Sequence, residues 1–196
     1  MTQSCRLVLA SQSPRRKQFL VDMGYDFTCL SPDIDESVMA NESPASYVER
    51  LAVEKARCIA INQEQNITVL GSDTCVAFDG HILGKPESFA QCQEYLSMLS
   101  GNEHLVHTAI AVVKGTLSKS LVVSTKVQFD TLTEQDIVQY WQSGEPQDKA
   151  GAYGIQGIGG QFVKSIIGSY SAVVGLPLVE TKHLLAEFGV HHHLNV

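Results

Sequence analysis

The 196-residue sequence lacks the features that would place it in several large classes of protein. No stretch of about 18 apolar residues occurs, and the apolar run at 7–10 is too short for the core of a signal peptide. Basic residues are also scarce: 14 Lys and Arg against 21 Asp and Glu give a net charge of −7, which disfavours nucleic acid and anionic membranes. We therefore expect a cytoplasmic protein with no membrane partner and no nucleic-acid partner.

Cysteine is sparse as well, and its spacing excludes two common uses. The five cysteines form no CxxC pair and no zinc-knuckle pattern, so we expect reduced, mostly buried thiols. Three consecutive histidines at 191–193 fall in the segment 190–196, which we expect to be a flexible tail rather than a metal site.

The residues that are present predict one globular domain of the α/β class. Hydrophobic residues make up 44% of the chain, and no repeat, low-complexity tract or linker marks a boundary within 1–196. Hydrophobic patterns, serine and threonine caps and glycine turns predict a mixed sheet flanked by helices. The expected strands are 6–10, 25–31, 67–78, 104–113 and 117–129, and the expected helices are 14–24, 44–60, 88–99, a helix capped by Thr133, and 178–188.

Two groups of cations break local rules. Arg15, Arg16 and Lys17 occupy the first turn of a helix, where the helix dipole favours anions, so they indicate either a phosphate site or a solvated basic end. Lys55 lies on the apolar stripe of the helix at 44–60 and must either extend outward or meet an anion. Arg50, Glu54 and Arg57 on the same helix have the spacing of an ordinary solvent-facing lattice.

Carboxylates break the same rules. Asp73 lies within the apolar run 69–76, where an unpaired carboxylate is costly, and we expect it at a strand end or bulge facing a cation. Asp33, Asp35 and Glu36 are suitable oxygen ligands for Mg²⁺ or Mn²⁺, although an acidic surface loop would have the same composition.

Glycine-rich stretches supply the remaining candidates. Lys85 stands between Gly84 and Pro86, where its ammonium is either fixed against phosphate or part of an exposed turn. No Walker motif and no dinucleotide fingerprint is present. A phosphate site would therefore be built from side chains and a helix end.

Several segments together resemble the Maf family of nucleoside triphosphate pyrophosphatases. In order they are SQSPRR at 11–16, DE at 35–36, EKA at 54–56, GSDT at 71–74, GKP at 84–86 and DKAGAYGIQG at 148–157, followed by IGSY at 167–170 and VGLP at 174–177. The segment 150–156 is similar to the family branch that hydrolyses dTTP and UTP, whereas a branch acting on 7-methyl-GTP differs there. The resemblance implies two lobes around a central cleft, a curved sheet and a homodimer.

The resemblance also implies a role for each matching residue. Asp73 matches the catalytic acid; Arg15, Thr74 and Gln156 match specificity positions; Arg16, Glu36, Lys55 and Lys85 match other pocket residues; and Ser13 belongs to the first of these segments. The implied reaction converts dTTP, UTP or modified pyrimidine triphosphates to the monophosphate and pyrophosphate with Mg²⁺ or Mn²⁺.

Chemistry adds a mechanism to these positions. We expect Glu36 and Asp73 to hold the metal while the cations neutralise the triphosphate, and Asp73 to act as general base for attack on the α-phosphorus. The amide of Gln156 can match the O4 and N3–H edge of uracil and thymine. The alternative is a nucleotide-sensing protein without turnover, which would gain nothing from Asp73 beside a triphosphate unless a metal is used.

Overall fold

A computed structural model describes residues 7–193. Cys5, Arg6 of the predicted first strand and residues 194–196 of the predicted tail lie outside the described residues. The described chain forms seven strands, six α-helices and three 3₁₀ turns. The strands are β1 Leu7–Ala10, β2 Phe27–Leu30, β3 Thr68–Phe78, β4 His81–Leu83, β5 Glu103–Lys114, β6 Leu117–Phe129 and β7 Val163–Ile167. The helices are α1 Pro14–Asp22, α2 Pro44–Ala60, α3 Phe89–Leu99, α4 Glu134–Gln142, α5 Tyr170–Val174 and α6 Leu178–Glu187, and the 3₁₀ turns are Glu145–Asp148, Ala150–Ala152 and Ile158–Phe162.

The strands form one mixed sheet, which confirms the predicted α/β class. Its order is β2-β1-β3-β5-β6-β7, with β4 paired to β3. Strand β1 runs parallel to both β2 and β3, whereas β4 and β7 are antiparallel to β3 and β6. The last residue of β1, Ala10, pairs with Leu30 and Gly71, so β3 continues past the carboxyl ends of β1 and β2.

Hydroxyl caps begin four of the helices, three of them at residues that the sequence predicts as caps, whereas Ser88 is expected inside the helix at 88–99. Ser13, Ser43, Ser88 and Thr133 each accept a hydrogen bond from a backbone N–H in the first turn that follows. Pro14 and Pro44 occupy first helical positions, where the missing N–H costs nothing. These caps fix where α1 and α2 begin, and both helices carry candidate site residues.

The fold differs from the prediction in four places. Strand β7 and the short helix α5 have no counterpart among the predicted elements. Asp73 does not lie at a strand end, because β3 runs from Thr68 to Phe78 on both sides of it, which leaves a bulge as the other expected position. Of the four described cysteines, Cys75 and Cys92 are buried but Cys29 is exposed. Residues 190–193 of the expected tail are packed: Val190 is buried, and the His193 N–H donates to the Gly24 carbonyl at 2.8 Å.

Two compact units divide the chain, and each has its own core. Within the described residues, the first comprises 7–73, 108–122 and 175–193, with a core that includes Leu9, Leu20, Ile110 and Leu184. The second comprises Thr74–His107 and Val123–Val174, with a core that includes Leu96, Phe129, Ile137 and Tyr140. Within residues 7–193, no helix combines the length and the hydropathy that crossing a membrane requires.

Candidate functional site

The centre of the candidate site is a buried ion pair with a third charge beside it. Lys55 Nζ lies 2.7 Å from Asp73 Oδ1 and 2.8 Å from Glu36 Oε1. Lys55 and Asp73 are each only 7% exposed, while Glu36 extends from an exposed loop. Of the two outcomes expected for Lys55, the structure shows the second: its ammonium meets anions, and these belong to the protein itself.

Burial and the neighbouring cations have opposite effects on the pKa of Asp73. Burial raises the pKa of Asp73 above its ordinary value, while the positive charges of Lys55 and Arg16 lower it, and the net direction is upward. A carboxyl group in this state releases its proton less readily than an exposed aspartate. The two cations are therefore what favours the ionised form of Asp73.

Helix α2 reaches Asp73 because β3 carries a glycine at the contact. A methyl group on Gly71 would collide with the Ala52 carbonyl oxygen and lie 2.9 Å from the Ala56 nitrogen. Side chains two residues apart on a strand point to the same face, so Asp73 faces the helix that Gly71 allows to approach. Lys55 lies between Ala52 and Ala56 on that helix, which places its side chain over Asp73.

Helix α1 adds a second cation to the same unit. Arg16 is half-buried; its Nε donates to the Gly175 carbonyl at 2.8 Å and its Nη1 donates to Ser11 Oγ at 3.3 Å. Burial lowers the pKa of Arg16, while the charge of Asp73 raises it. Ser13 Oγ accepts the Arg16 N–H at 3.5 Å. Arg15 is half-buried, and its side chain forms no ion pair within residues 7–193.

Glu36 is positioned by α2 through contacts that the sequence did not reveal. The Tyr47 hydroxyl donates to the Glu36 carbonyl at 2.9 Å, and Arg50 Nη2 donates to the Ser37 carbonyl at 3.0 Å. Arg50 also holds both carboxylate oxygens of Glu42, at 2.6 and 2.8 Å, and its guanidinium stacks over the Tyr47 ring at 5.6 Å. This pairing lowers the pKa of Glu42 to about 2. Arg50 is thus a clamp on the Glu36 loop rather than only part of a solvent-facing lattice.

Three candidate residues belong to the second unit. Thr74 follows Asp73 on β3 and is half-buried, Lys85 is exposed between β4 and α3, and Gln156 is exposed on the loop between two 3₁₀ turns. The side chains of Lys85 and Gln156 make no hydrogen bond or ion pair with other residues in 7–193, which leaves their polar ends available to a ligand.

The carboxylates offer a partial metal site. Among the described residues, no group of three or more His, Cys, Asp and Glu side chains gathers as a complete cage. Glu36 and Asp73 nevertheless converge on one point, the Lys55 ammonium, and Mg²⁺ commonly binds one or two carboxylates together with substrate phosphates and water. Asp35 is committed elsewhere, because it accepts the Ser37 N–H at 2.9 Å and the Ser37 hydroxyl at 2.6 Å.

Fold and site together define an α/β protein with charged groups gathered at the carboxyl end of parallel strands, the edge where α/β proteins commonly bind ligands. A family model described as Maf-like protein matches residues 6–188. The chain belongs to the Maf family.

Curated relatives match over nearly the full length. A protein of Colwellia psychrerythraea is 54% identical over 190 residues, covering 95% of this chain and 90% of the relative. One of Vibrio parahaemolyticus is 53% identical, covering 96% and 100%, and one of Pseudoalteromonas atlantica is 49% identical, covering 95% and 98%. Each of the three is named dTTP/UTP pyrophosphatase. The solved structure of the Staphylococcus aureus Ham1 protein aligns with a TM-score of 0.46 at 16% identity, over 63% of this chain and 71% of that one.

Proposed function

We propose that this protein is a nucleoside triphosphate pyrophosphatase that converts dTTP and UTP to the monophosphate and pyrophosphate. The observation that carries the proposal is the buried Lys55–Asp73 pair with Glu36 at its side. Membership of the Maf family and the names of relatives at about half identity support the same reaction and the same substrates. Modified pyrimidine triphosphates with an unchanged O4 and N3–H edge belong to the same substrate class.

Each charged residue has a task that its surroundings support. Arg16 and Lys55 supply positive charge from positions shielded from water, where it interacts strongly with a polyphosphate. Arg15 and Lys85 would add charge from more exposed positions and interact less strongly per residue. Asp73, whose ionised form Lys55 and Arg16 favour, orients the attacking water and accepts its proton.

A divalent cation, Mg²⁺ or Mn²⁺, would be held by Glu36 and Asp73. When bound it would polarise the phosphates and neutralise their charge. The two carboxylates are held close together by the Lys55 ammonium, so the donor set needs little rearrangement to accept such an ion. Lys55 would then be released towards the phosphates.

Base selection is assigned to Gln156, with Thr74 near the reaction centre. An amide presents one acceptor and one donor pair, which match the N3–H and O4 of thymine and uracil. The exposed side chain of Gln156 is available for this contact. Cytosine offers the reverse pattern at position 4, but an amide can flip, so fixed backbone groups would have to supply the rest of the rejection.

A screen of purified protein against the natural and modified nucleoside triphosphates with Mg²⁺ or Mn²⁺ tests this proposal. We expect one pyrophosphate and no free phosphate per dTTP or UTP, and no turnover when a chelator removes the divalent ion. Turnover confined to purine triphosphates would overturn the substrate assignment, and release of single phosphates would overturn the reaction. Gel filtration with light scattering of the same sample tests the expected homodimer.

The competing function is a nucleotide sensor that binds without turnover. Asp73 favours the enzyme, because burying a carboxylate beside a polyanion costs binding energy unless the carboxylate takes part in chemistry or holds a metal. Tight dTTP binding with no pyrophosphate release, in the presence of either divalent ion, would favour the sensor.

A further inference from the structure

The loop that carries Gln156 is held by two side chains that lie outside it. Tyr140 on α4 is 2% exposed; its hydroxyl accepts a hydrogen bond from the Gly154 N–H at 3.1 Å and donates one to Glu145 Oε1 at 2.8 Å. Gly154 opens the loop. The start of the loop is therefore tied to a buried tyrosine that is itself fixed by a carboxylate.

Glu145 fixes the other end of the same loop. Its Oε2 accepts the Ile158 N–H at 2.7 Å, and its Oε1 accepts the Gly159 N–H at 3.0 Å. Hydrogen bonds to an ionised acceptor are about twice as strong as neutral ones. These bonds and the Tyr140 hydroxyl lower the pKa of Glu145 despite its burial, so the carboxylate stays charged at neutral pH.

Two glycines of the loop are required by these contacts. A methyl group at Gly157 would collide with the Glu145 carboxylate, and one at Gly159 would collide with the Tyr140 hydroxyl. The glycines thus make room for two anchoring side chains, and the segment between the anchors is Ile155, Gln156 and Gly157. Gln156 lies at the middle of a loop that is tied on both sides.

We infer that Glu145, together with Tyr140, is a positioning residue that fixes the Gln156 backbone and thereby sets the preference for thymine and uracil over cytosine. The inference rests on the proposed function, in which Gln156 reads the base. An amide side chain can rotate by half a turn and present the opposite hydrogen-bonding pattern. The Gln156 amide alone therefore does not reject cytosine. Backbone N–H and C=O groups cannot exchange roles, so discrimination falls to the loop backbone at Gln156, which the Glu145 carboxylate holds in place.

Replacing Glu145 by glutamine tests the inference with little change in shape. The amide retains one acceptor oxygen and places an NH₂ group against one of the two loop N–H groups, so at least one anchor is lost. We expect the KM for dTTP to rise roughly tenfold with kcat changed less than about threefold, and the preference for dTTP over dCTP to fall roughly tenfold. Glu145→Asp keeps both carboxylate oxygens. We expect its KM for dTTP and its preference for dTTP over dCTP to lie between those of the parent protein and those of Glu145→Gln.

Glu103→Gln is the matched control, since among residues 7–193 Glu103 forms an ion pair with exposed Lys126 alone, in the same unit, and is more than 40 positions from the loop in sequence. Gly157→Ala should also reduce the preference for dTTP over dCTP, because its added methyl group displaces the Glu145 carboxylate from the loop. Thermal unfolding of each variant separates a local effect from misfolding. A folded Glu145→Gln protein with the parental KM and parental dTTP preference would overturn the inference.

Equilibrium binding of dTTP and dCTP, measured beside turnover, separates this inference from the proposed function. A parent protein that binds dTTP over dCTP but releases no pyrophosphate contradicts the proposed function alone. In that case loss of the binding preference in Glu145→Gln supports the inference, and an unchanged preference contradicts it. A parent protein that binds neither nucleotide contradicts both.

Discussion

At the scale of single residues, the central feature is a lysine and an aspartate that share a water-poor environment. Each compensates for the cost of burying the other, and Glu36 adds a second negative charge to the same ammonium. Such a pair contributes less net stability than its short distance suggests, because both groups lose hydration. The function proposed for the Lys55–Asp73 pair is to place a carboxylate and a cation where they can contact a triphosphate and the attacking water.

Lys55→Met tests the coupling within the pair. Without the ammonium, Asp73 is left buried beside Glu36, and we expect the free energy of unfolding to fall by about 3 kcal/mol at neutral pH. Urea unfolding measures the change. Lys119→Met, which removes only the exposed partner of Glu187, is the control and should change stability by less than about 1 kcal/mol.

The same variant has a predicted pH dependence. Loss of Lys55 removes a charge that lowers the pKa of Asp73, so that pKa rises further above the ordinary value of 3.8. At pH values between 3.8 and the raised pKa, the folded protein keeps a proton on Asp73 that the unfolded chain has released. The free energy of unfolding therefore decreases as the pH rises through this range. The loss of unfolding free energy that Lys55→Met causes relative to the parent protein should therefore be smaller at about pH 5 than at about pH 7. An equal deficit at both would contradict the coupling.

The sequence alone identifies these residues because each breaks a local rule. Lys55 interrupts an apolar stripe and Asp73 an apolar strand, and both violations are visible without coordinates. The sequence did not indicate that Asp73 lies inside a continuous strand. The cation that compensates for burying its carboxylate, Lys55, comes from a helix and lies 18 positions earlier in the chain.

At the scale of elements, the close approach of α2 to β3 decides the geometry of the site. Gly71 permits that approach, and the caps at Ser13 and Ser43 fix where the two flanking helices begin. Gly71 matches a family segment in the sequence, but the reason for a glycine there, a helix backbone in direct contact, emerges only from the packing. The clamp formed by Arg50 is not visible in the sequence for a similar reason: its partners Glu42 and Ser37 lie outside α2, and the spacing within α2 indicates only a solvent-facing lattice.

Gly71→Ala should destabilise the protein by about 3 kcal/mol, because the added methyl group meets helix backbone that cannot turn aside. We also expect pyrophosphate release to fall, since Lys55 moves with α2. Gly84→Ala is the control for stability: its added methyl group meets nothing within 4 Å. Thermal or urea unfolding of the two variants gives the comparison, and equal stability would contradict the packing argument.

Arg50→Lys tests the clamp on the Glu36 loop. A lysine cannot bind both oxygens of Glu42 and the Ser37 carbonyl together, so the Glu36 loop loses its support at Ser37 while α2 and the Tyr47 contact remain. We expect the Mg²⁺ concentration for half-maximal activity to rise roughly tenfold, with little change in the rate at saturating Mg²⁺. Arg57→Lys, an exposed change on the same helix, should leave the Mg²⁺ curve unaltered. A parental curve for Arg50→Lys would show that the clamp does not position a metal ligand.

At the scale of the whole molecule, the α/β class and most elements follow from hydrophobic pattern and caps, whereas short edge elements do not. Strand β7 reads Val-Lys-Ser-Ile-Ile and is mostly solvent-exposed, so it lacks the clean alternation that identifies a strand. Helix α5 has five residues, which is less than two turns of periodic signal. The order of the strands in the sheet brings residues from distant segments to the carboxyl end of β1. No local sequence pattern encodes that strand order.

The most direct test of the account is pyrophosphate release from dTTP by Asp73→Asn, measured together with dTTP binding. The substitution keeps the size of the side chain but removes both its ability to take a proton and its negative charge towards a metal ion, so we expect release to fall by roughly a thousandfold. Binding of dTTP measured without a divalent ion should stay within about threefold, because Arg16 and Lys55 remain in place. Asp130→Asn, an exposed change, is the control. A folded Asp73→Asn protein that releases pyrophosphate at the parental rate would contradict the assignment of Asp73 as the general base.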